Sequence, residues 1–372
     1  MSCNPVVDCA VIGGGAVGLS VALRVRQAGL SVAVLERGTP GQEATWASAG
    51  MLSPQAEADE PGPAFFFGVR SREYYPAFVE ELQDISGIDV GYCPSGVLWL
   101  GLAAEDEARV RARAAWQERA GFKVEMLAAE EARKLEPGLG EAVRCAAWIP
   151  GDHQVNARLL GRALAQAGAR LGVQMLPGWK ARKLLQRGGV VCGVETELGR
   201  VEAKVVVLAA GAWSPHIEGS GLPTDAVRPV RGQIVRLVSL QRPLSRVLFY
   251  AGGYLVPDRL GGILAGSTME TVGFVKQVTA EGVLAILGHA CRVVPELANA
   301  AVEESWSGLR PMTEDGKAIL GQGSLLGLIY ATGHGRKGIL HAPLTASVTT
   351  DLVLGRTPDV DLTPFAPTRF FS

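Results

Sequence analysis

The most constraining feature lies near the amino terminus, where an apolar, largely β-branched run from Val6 to Ile12 ends in Gly13-Gly14-Gly15-Ala16-Val17-Gly18. Helical spacing follows from Ala16 to about Ala28, Gly29 stops it, and Val32 to Leu35 predicts a second strand ending at Glu36. This is a βαβ unit with a glycine-rich first turn. The glycines serve different ends. Gly13 permits the tight turn, Gly15 lets a pyrophosphate approach the backbone, and Gly18 lets the helix pack close to the strand. Ala16 and Val17 open the helix, whose unpaired amides and partial positive charge suit phosphate. Glu36 follows Gly18 by 18 residues, near the spacing at which a carboxylate accepts hydrogen bonds from ribose hydroxyls. An acid at that strand end disfavours a 2′-phosphate and hence NADP.

Further along, a Pro, Ala and acidic loop from Ser53 to Pro63 leads to helical spacing from Phe65 to Leu82, and a charged helix is expected from Ala104 to Ala120. Neither continues a doubly wound sheet, so Pro76 to about Ala142 reads as part of a second domain. Helical spacing returns from Ala157 to Leu171, and Val201 to Leu208 predicts an apolar strand ending in Ala209-Ala210-Gly211-Ala212-Trp213-Ser214. Between Val227 and Val275, strands alternate with glycine turns such as Gly252-Gly253 and Gly261-Gly262, an antiparallel pattern. Leu328 to Ala331 predicts a last buried strand, followed by Gly333-His334-Gly335-Arg336-Lys337-Gly338 and a helix from Ile339 to Leu354. The expected fold class is α/β: a Rossmann-like nucleotide-binding domain built from the discontinuous segments 1–75, 143–226 and 308–372. An α+β substrate domain with an antiparallel sheet, 76–142 and 227–307, is inserted into it.

Composition removes several function classes. The 36 basic and 37 acidic residues leave no basic excess for a nucleic-acid track. Six dispersed cysteines, Cys3, Cys9, Cys93, Cys145, Cys192 and Cys291, form no C-x-x-C pair, so a structural zinc is not expected and reduced thiols in a cytoplasmic protein are. Asp8 interrupts the first apolar stretch and no basic segment precedes it, so no signal peptide is read. No uncharged apolar run reaches 18 residues, so neither a spanning helix nor a membrane partner is expected. Glycine is the unusual component, 47 residues or about 13% against a roughly 7% average, which implies many tight turns or close backbone approaches.

Six motifs in this order resemble the FAD-dependent D-amino acid oxidase family. They are the βαβ unit with Glu36-Arg37, Ala47-Ser48-Ala49-Gly50-Met51, the Gly151-Asp152 turn, Ala209-Ala210-Gly211-Ala212-Trp213, Gly308-Leu309-Arg310-Pro311, and Gly333 to Gly338. Tyr254-Leu255-Val256-Pro257 and the continuation Met312-Thr313-Glu314-Asp315-Gly316 resemble the branch of that family that oxidises glycine for thiamine biosynthesis. The resemblance implies FAD, contacted by Gly13, Gly15, Ala16, Val17, Gly18, Glu36 and Arg37, by Ser48, Ala49, Gly50 and Met51, and by Lys180. Ala210, Gly211 and Trp213, and then Gly333, His334, Gly335, Arg336, Lys337 and Gly338, complete the implied set. Some members tether flavin through a histidine near the Ala47 segment or a late cysteine; this chain has neither, so noncovalent FAD is expected.

Oxidising an amino acid to an imino acid needs its Cα held at the flavin face and its carboxylate anchored, but no metal and no acid–base dyad. A planar guanidinium is the best anchor for a carboxylate. The resemblance gives that role to Arg310, with the Tyr254 phenol as second donor. Arg336 either shapes the entrance or neighbours a phosphate or carboxylate; Met51 and Met269 flank a small-substrate pocket; Tyr250 is a further site tyrosine, and His153 is read as structural. The implied activity is oxidative deamination of glycine, sarcosine and small D-amino acids, with molecular oxygen as acceptor. A homo-oligomer, tetrameric by resemblance, and a thiazole synthase partner are also implied. Two other readings use the same nucleotide unit: a D-amino acid dehydrogenase that reduces a quinone, and a non-enzymatic nucleotide sensor.

Overall fold

The computed structural model describes residues 4–239, 244–258 and 261–371. The strand Val6–Ile12 is buried on both faces, with Cys9 and Val11 in one core and Ala10 and Ile12 in another. A strand of that kind belongs inside a sheet covered on both sides. It pairs in parallel with Val32–Glu36 and with Arg200–Leu208. Leu328–Thr332 and Gln174–Pro177 extend the parallel part outward, and Ile319–Gln322 closes one edge antiparallel. The helices Ala16–Gln27, Pro63–Ser86, Ala157–Arg170 and Gly338–Val353 cover one face with Leu19, Tyr75, Leu160 and Leu344. An antiparallel hairpin, Ala181–Arg187 with Val190–Thr196, covers the other through Leu184 and Val194. Local chemistry sets the boundaries: Asn156 caps Ala157–Arg170 by accepting the Leu159 amide at 3.0 Å, a contact worth about 1 kcal/mol.

A second sheet runs in the order Ala301–Met312, Arg228–Val238, Gly262–Gly266, Gly253–Pro257, Val247–Tyr250, Val97–Gly101, Cys145–Ile149, Glu125–Ala128. Every pairing in it is antiparallel except that of Val247–Tyr250 with Val97–Gly101. Its side chains alternate as a pleated sheet requires. Leu98, Val235 and Leu255 pack against Ile286 and Ala290 of the helix Ala280–Val293. Their neighbours Trp99, Ile234 and Tyr254 face the opposite way, toward Ala47, Ala49 and Ala56. That second face packs on the segment that carries Ala47, Ala49 and Ala56.

Three boundaries drawn from the sequence are corrected. Pro63–Ser86 continues through Pro76 and buries Phe78 and Leu82 in the first core, so a cut at 76 would divide a helix. Cys145–Ile149 belongs to the second sheet, so the chain has not returned to the nucleotide domain at 143. Ala301–Met312 crosses position 308 and carries Arg310 on the second sheet. In each case, pairing or packing over long sequence separation decides membership, and no local turn signal marks it. Of the cysteines, Cys9, Cys93, Cys145, Cys192 and Cys291 are free thiols; Cys3 lies outside the described residues.

Candidate active site

A cavity of about 570 Å³ runs from the start of the helix Ala16–Gln27 to the second sheet. At its first end, Gly13 adopts φ +108°, and a Cβ there would lie 2.4 Å from the Ala209 carbonyl oxygen. A Cβ on Gly18 would meet the Gly13 oxygen at 2.0 Å, so this helix and turn pack as only glycine allows. Both glycines hold the turn together from behind, whereas Gly15, Ala16 and Val17 line the cavity. The buried Glu36 carboxylate accepts the Gly14 amide at 2.8 Å and the Gly38 amide at 2.9 Å, which fixes it beside the turn. The Arg37 guanidinium lies 3.4 Å over the Trp213 ring and bonds Glu43 at 2.5 Å.

Midway along the cavity, Ser48, Ala49 and Met51 form one wall, and Gly50 packs behind them with its amide on Ser48 Oγ at 3.1 Å. Gly211 lines the facing side, with Ala210 and Trp213 just outside it. Gly333, His334, Gly335, Arg336 and Gly338 close the cavity at the start of the last helix, while the Lys337 carbonyl accepts the His341 amide within that helix. The Gly335 amide donates to the Pro311 carbonyl at 2.9 Å, joining this turn to the strand that carries Arg310. His334 is buried, bonds Thr345 Oγ1 at 3.1 Å, and is held by burial down to about 3 from its ordinary 6.5, so it is neutral.

The other end is built on the second sheet. Arg310 donates to Ser267 Oγ at 2.7 Å and to the Thr268 carbonyl at 3.0 Å, and its Nη1 lies 3.3 Å from the Met269 sulfur. A Cβ on Gly232 of the neighbouring strand would lie 2.2 to 2.4 Å from the guanidinium, so Gly232 provides the room it occupies. Burial lowers Arg310 from its usual value, with the Tyr254 phenol opposing that shift; an arginine still keeps its charge. Burial raises the Tyr254 phenol, which faces Arg310 and Ser267, so it is a protonated donor at neutral pH. Met269 and Tyr250 also line this end, and Met51 packs in the same cluster as Tyr254. Arg336 is half exposed, lines the cavity and pairs with Glu57 at 2.8 Å.

One assignment falls elsewhere. Lys180 is exposed in the turn after Gln174–Pro177, pairs with Glu197 at 3.3 Å and does not line the cavity, because its side chain follows the charge beside it on the hairpin. His153 bonds the Tyr92 hydroxyl at 2.6 Å away from the cavity. Sequence reasoning also missed several lining residues: Thr45, whose Oγ1 accepts the Ala16 amide at 2.8 Å, Gly232, Ser267, and the cluster of Glu57, Asp59 and Arg113. Arg113 lies 4.8 Å over Trp99 and bonds the Ala56 carbonyl and the Asp59 carboxylate. Thr45 stands three residues before Ser48, next to the Ala47–Met51 motif, so a hydroxyl there was the one available signal.

An elongated cavity that begins at helix amides beside a buried carboxylate and ends at a guanidinium and a phenol defines a dinucleotide-dependent oxidoreductase. Its residues fit FAD: the helix start that Gly15, Ala16 and Val17 bring to the cavity suits a pyrophosphate, the Glu36 carboxylate, itself outside the lining, would accept from ribose, and the Gly333–Gly338 turn lies beyond them. A family model described as FAD dependent oxidoreductase (DAO) matches residues 8–352, and the chain belongs to that family, with FAD as its cofactor. It is 38% identical to the bifunctional protein ThiO/ThiG of Synechocystis over 98% of this chain, yet spans only 54% of that protein. It is 35% identical to the glycine oxidase of Geobacillus kaustophilus, covering 97% of both. The crystal structure of glycine oxidase from that organism superposes with a TM-score of 0.95, at 35% identity, over 98% of this chain and 99% of the other.

Proposed function

We propose that the protein oxidises glycine and small amines such as sarcosine and small D-amino acids. The products are the imino acid, which hydrolyses to glyoxylate or another 2-oxo acid and ammonia (methylamine from sarcosine), and hydrogen peroxide from oxygen. The observation that carries this reading is the desolvated Arg310 guanidinium beside the Tyr254 phenol, at the cavity end opposite the helix amides. Bound FAD supplies the two-electron oxidising chemistry. Arg310 holds the substrate carboxylate, and the phenol donates a further hydrogen bond to it. Met51 and Met269 fill the walls around a Cα that carries little or no side chain. Arg336, tied to Glu57, limits the entrance and excludes bulk water. FAD is held without a covalent bond, so acid precipitation should release all of it.

The glycine oxidase relatives support the substrate class and oxygen as acceptor. The ThiO/ThiG relatives, with about half their length beyond the match, support a role in thiamine biosynthesis in which the imine passes to a thiazole synthase partner. A cytoplasmic homotetramer completes the reading. Under anaerobic conditions, glycine, sarcosine and D-alanine added in turn should bleach the visible band of the purified protein. In air, peroxide should appear one for one with substrate consumed. Absence of bleaching by all three amines refutes the substrate class, and turnover with a quinone analogue but without peroxide refutes oxygen as acceptor.

A further inference from the structure

Residues 267–279 leave the second sheet after Gly262–Gly266 and form no helix or strand before Ala280–Val293. Irregular connections of this length in a compact domain are usually functional. One end is pinned under the substrate anchor, where Ser267 and Thr268 bond Arg310 and Glu270 bonds Arg231 at 2.7 Å. From there the chain crosses to the nucleotide-binding part. Phe274 packs on Trp213 with ring centroids 5.2 Å apart, and Lys276 pairs with Glu43 at 2.9 Å. Those two partners are themselves joined through Arg37, which stacks on Trp213 and bonds Glu43. Phe274, Trp213, Arg37, Glu43 and Lys276 therefore close a ring immediately after Glu36 in the chain.

The ring joins an element of one sheet to the turn that follows Glu36 in the other. Its members are of unequal strength. The aromatic contact depends little on salt, whereas the Lys276–Glu43 and Arg37–Glu43 pairs are partly solvated and therefore screened. We propose that this strap is a part of the FAD site: Phe274 and Lys276 hold its nucleotide end shut, and FAD leaves only when the strap lifts. The inference rests on FAD as cofactor and not on the identity of the amine, so failure of the glycine reading leaves its test intact.

The test is release of FAD from the holoenzyme after dilution, followed by the rise in flavin fluorescence. Phe274→Ala should speed release roughly three- to tenfold, the worth of one aromatic contact. Lys276→Ala should speed it less and reduce the salt dependence expected of the parent, the Arg37–Glu43 pair carrying the rest, and Lys276→Arg should restore both. Melting temperatures measured with and without added FAD separate a cofactor role from a merely structural one, because the variants should lose mainly the part of the stability that FAD adds. Release rates of Phe274→Ala and Lys276→Ala indistinguishable from the parent overturn the inference. So does an equal loss of melting temperature with and without FAD, which makes the strap a tie between domains and nothing more.

Discussion

Arg310→Ala is the perturbation for which the structure gives the most definite magnitude. A guanidinium carries five N–H donors. Two go to Ser267 Oγ and the Thr268 carbonyl, and a third is directed at the Met269 sulfur. The remaining donors can grip a carboxylate in two parallel, charge-assisted hydrogen bonds. Glycine has almost no apolar surface, so this grip supplies most of its orientation. Truncating one partner of a buried charge pair costs about 2 to 5 kcal/mol, which is about 1.5 to 3.5 decades in kcat/KM. Steady-state peroxide release with glycine measures it directly, and Arg310→Lys should recover only part of the loss because the planar fork is gone. Gly232→Ala attacks the same contact from outside the residue, since its methyl would fall 2.2 to 2.4 Å from the guanidinium. It should lower kcat/KM in the same direction. FAD content should stay at the parent level in both variants. A folded, FAD-loaded Arg310→Ala with the parent's kcat/KM for glycine would falsify the assignment and leave Arg336 as the next anchor to test.

Glu36→Ala removes the proposed ribose acceptor and also orphans the Gly14 and Gly38 amides; FAD should bind roughly 10- to 150-fold more weakly by titration, from about 1.5 to 3 kcal/mol, with substrate preference unchanged. Gly308→Ala would bring a methyl to 2.4 Å from the Ala47 Cβ, and thermal unfolding should report a loss of about 1 to 3 kcal/mol with KM for glycine raised as the Arg310 strand shifts. His334 is neutral in the fold but protonates below its ordinary 6.5 when unfolded, so its contribution is complete above pH 6.5 and is lost as pH falls toward about 3. At pH 5 that loss is about 2 kcal/mol, and urea titrations of His334→Gln at pH 7 and pH 5 should differ by about that much less than the parent's; an unchanged difference refutes the assignment.

Much of the nucleotide-binding half was legible because its signals are local. Gly13, Gly18 and Glu36 lie in one βαβ unit, and two of the contacts that place them, Gly18 against Gly13 and Glu36 on the Gly14 amide, span 22 residues or fewer, although Gly13 also packs against the distant Ala209 carbonyl. The placement of Arg310 at the cavity was legible only through the likeness of its surrounding motif, since nothing in Leu309-Arg310-Pro311 says which way the side chain turns. What decides its direction is Gly232, on a strand paired antiparallel to its own. A glycine in a chain holding 47 of them carries no signal until that register is known.

Arg336 depends on distant residues in the same way. An arginine in a glycine-rich turn has no local partner to suggest its role, and the carboxylate that fixes it, Glu57, lies 279 residues away. Glu57 stands in the loop that reads from sequence only as a connection. Arg113 bonds the Ala56 carbonyl and the Asp59 carboxylate, while buried Asp152 accepts the Ala56 amide at 2.8 Å and Arg72 at 2.6 Å. The Gly151-Asp152 turn, to which the motif alone gives no role, thus holds from behind the segment that brings Glu57 to Arg336. A charge buried this way persists only while its partners stay in place, so this side of the cavity is fixed in part by Asp152 and Arg72, which do not line it.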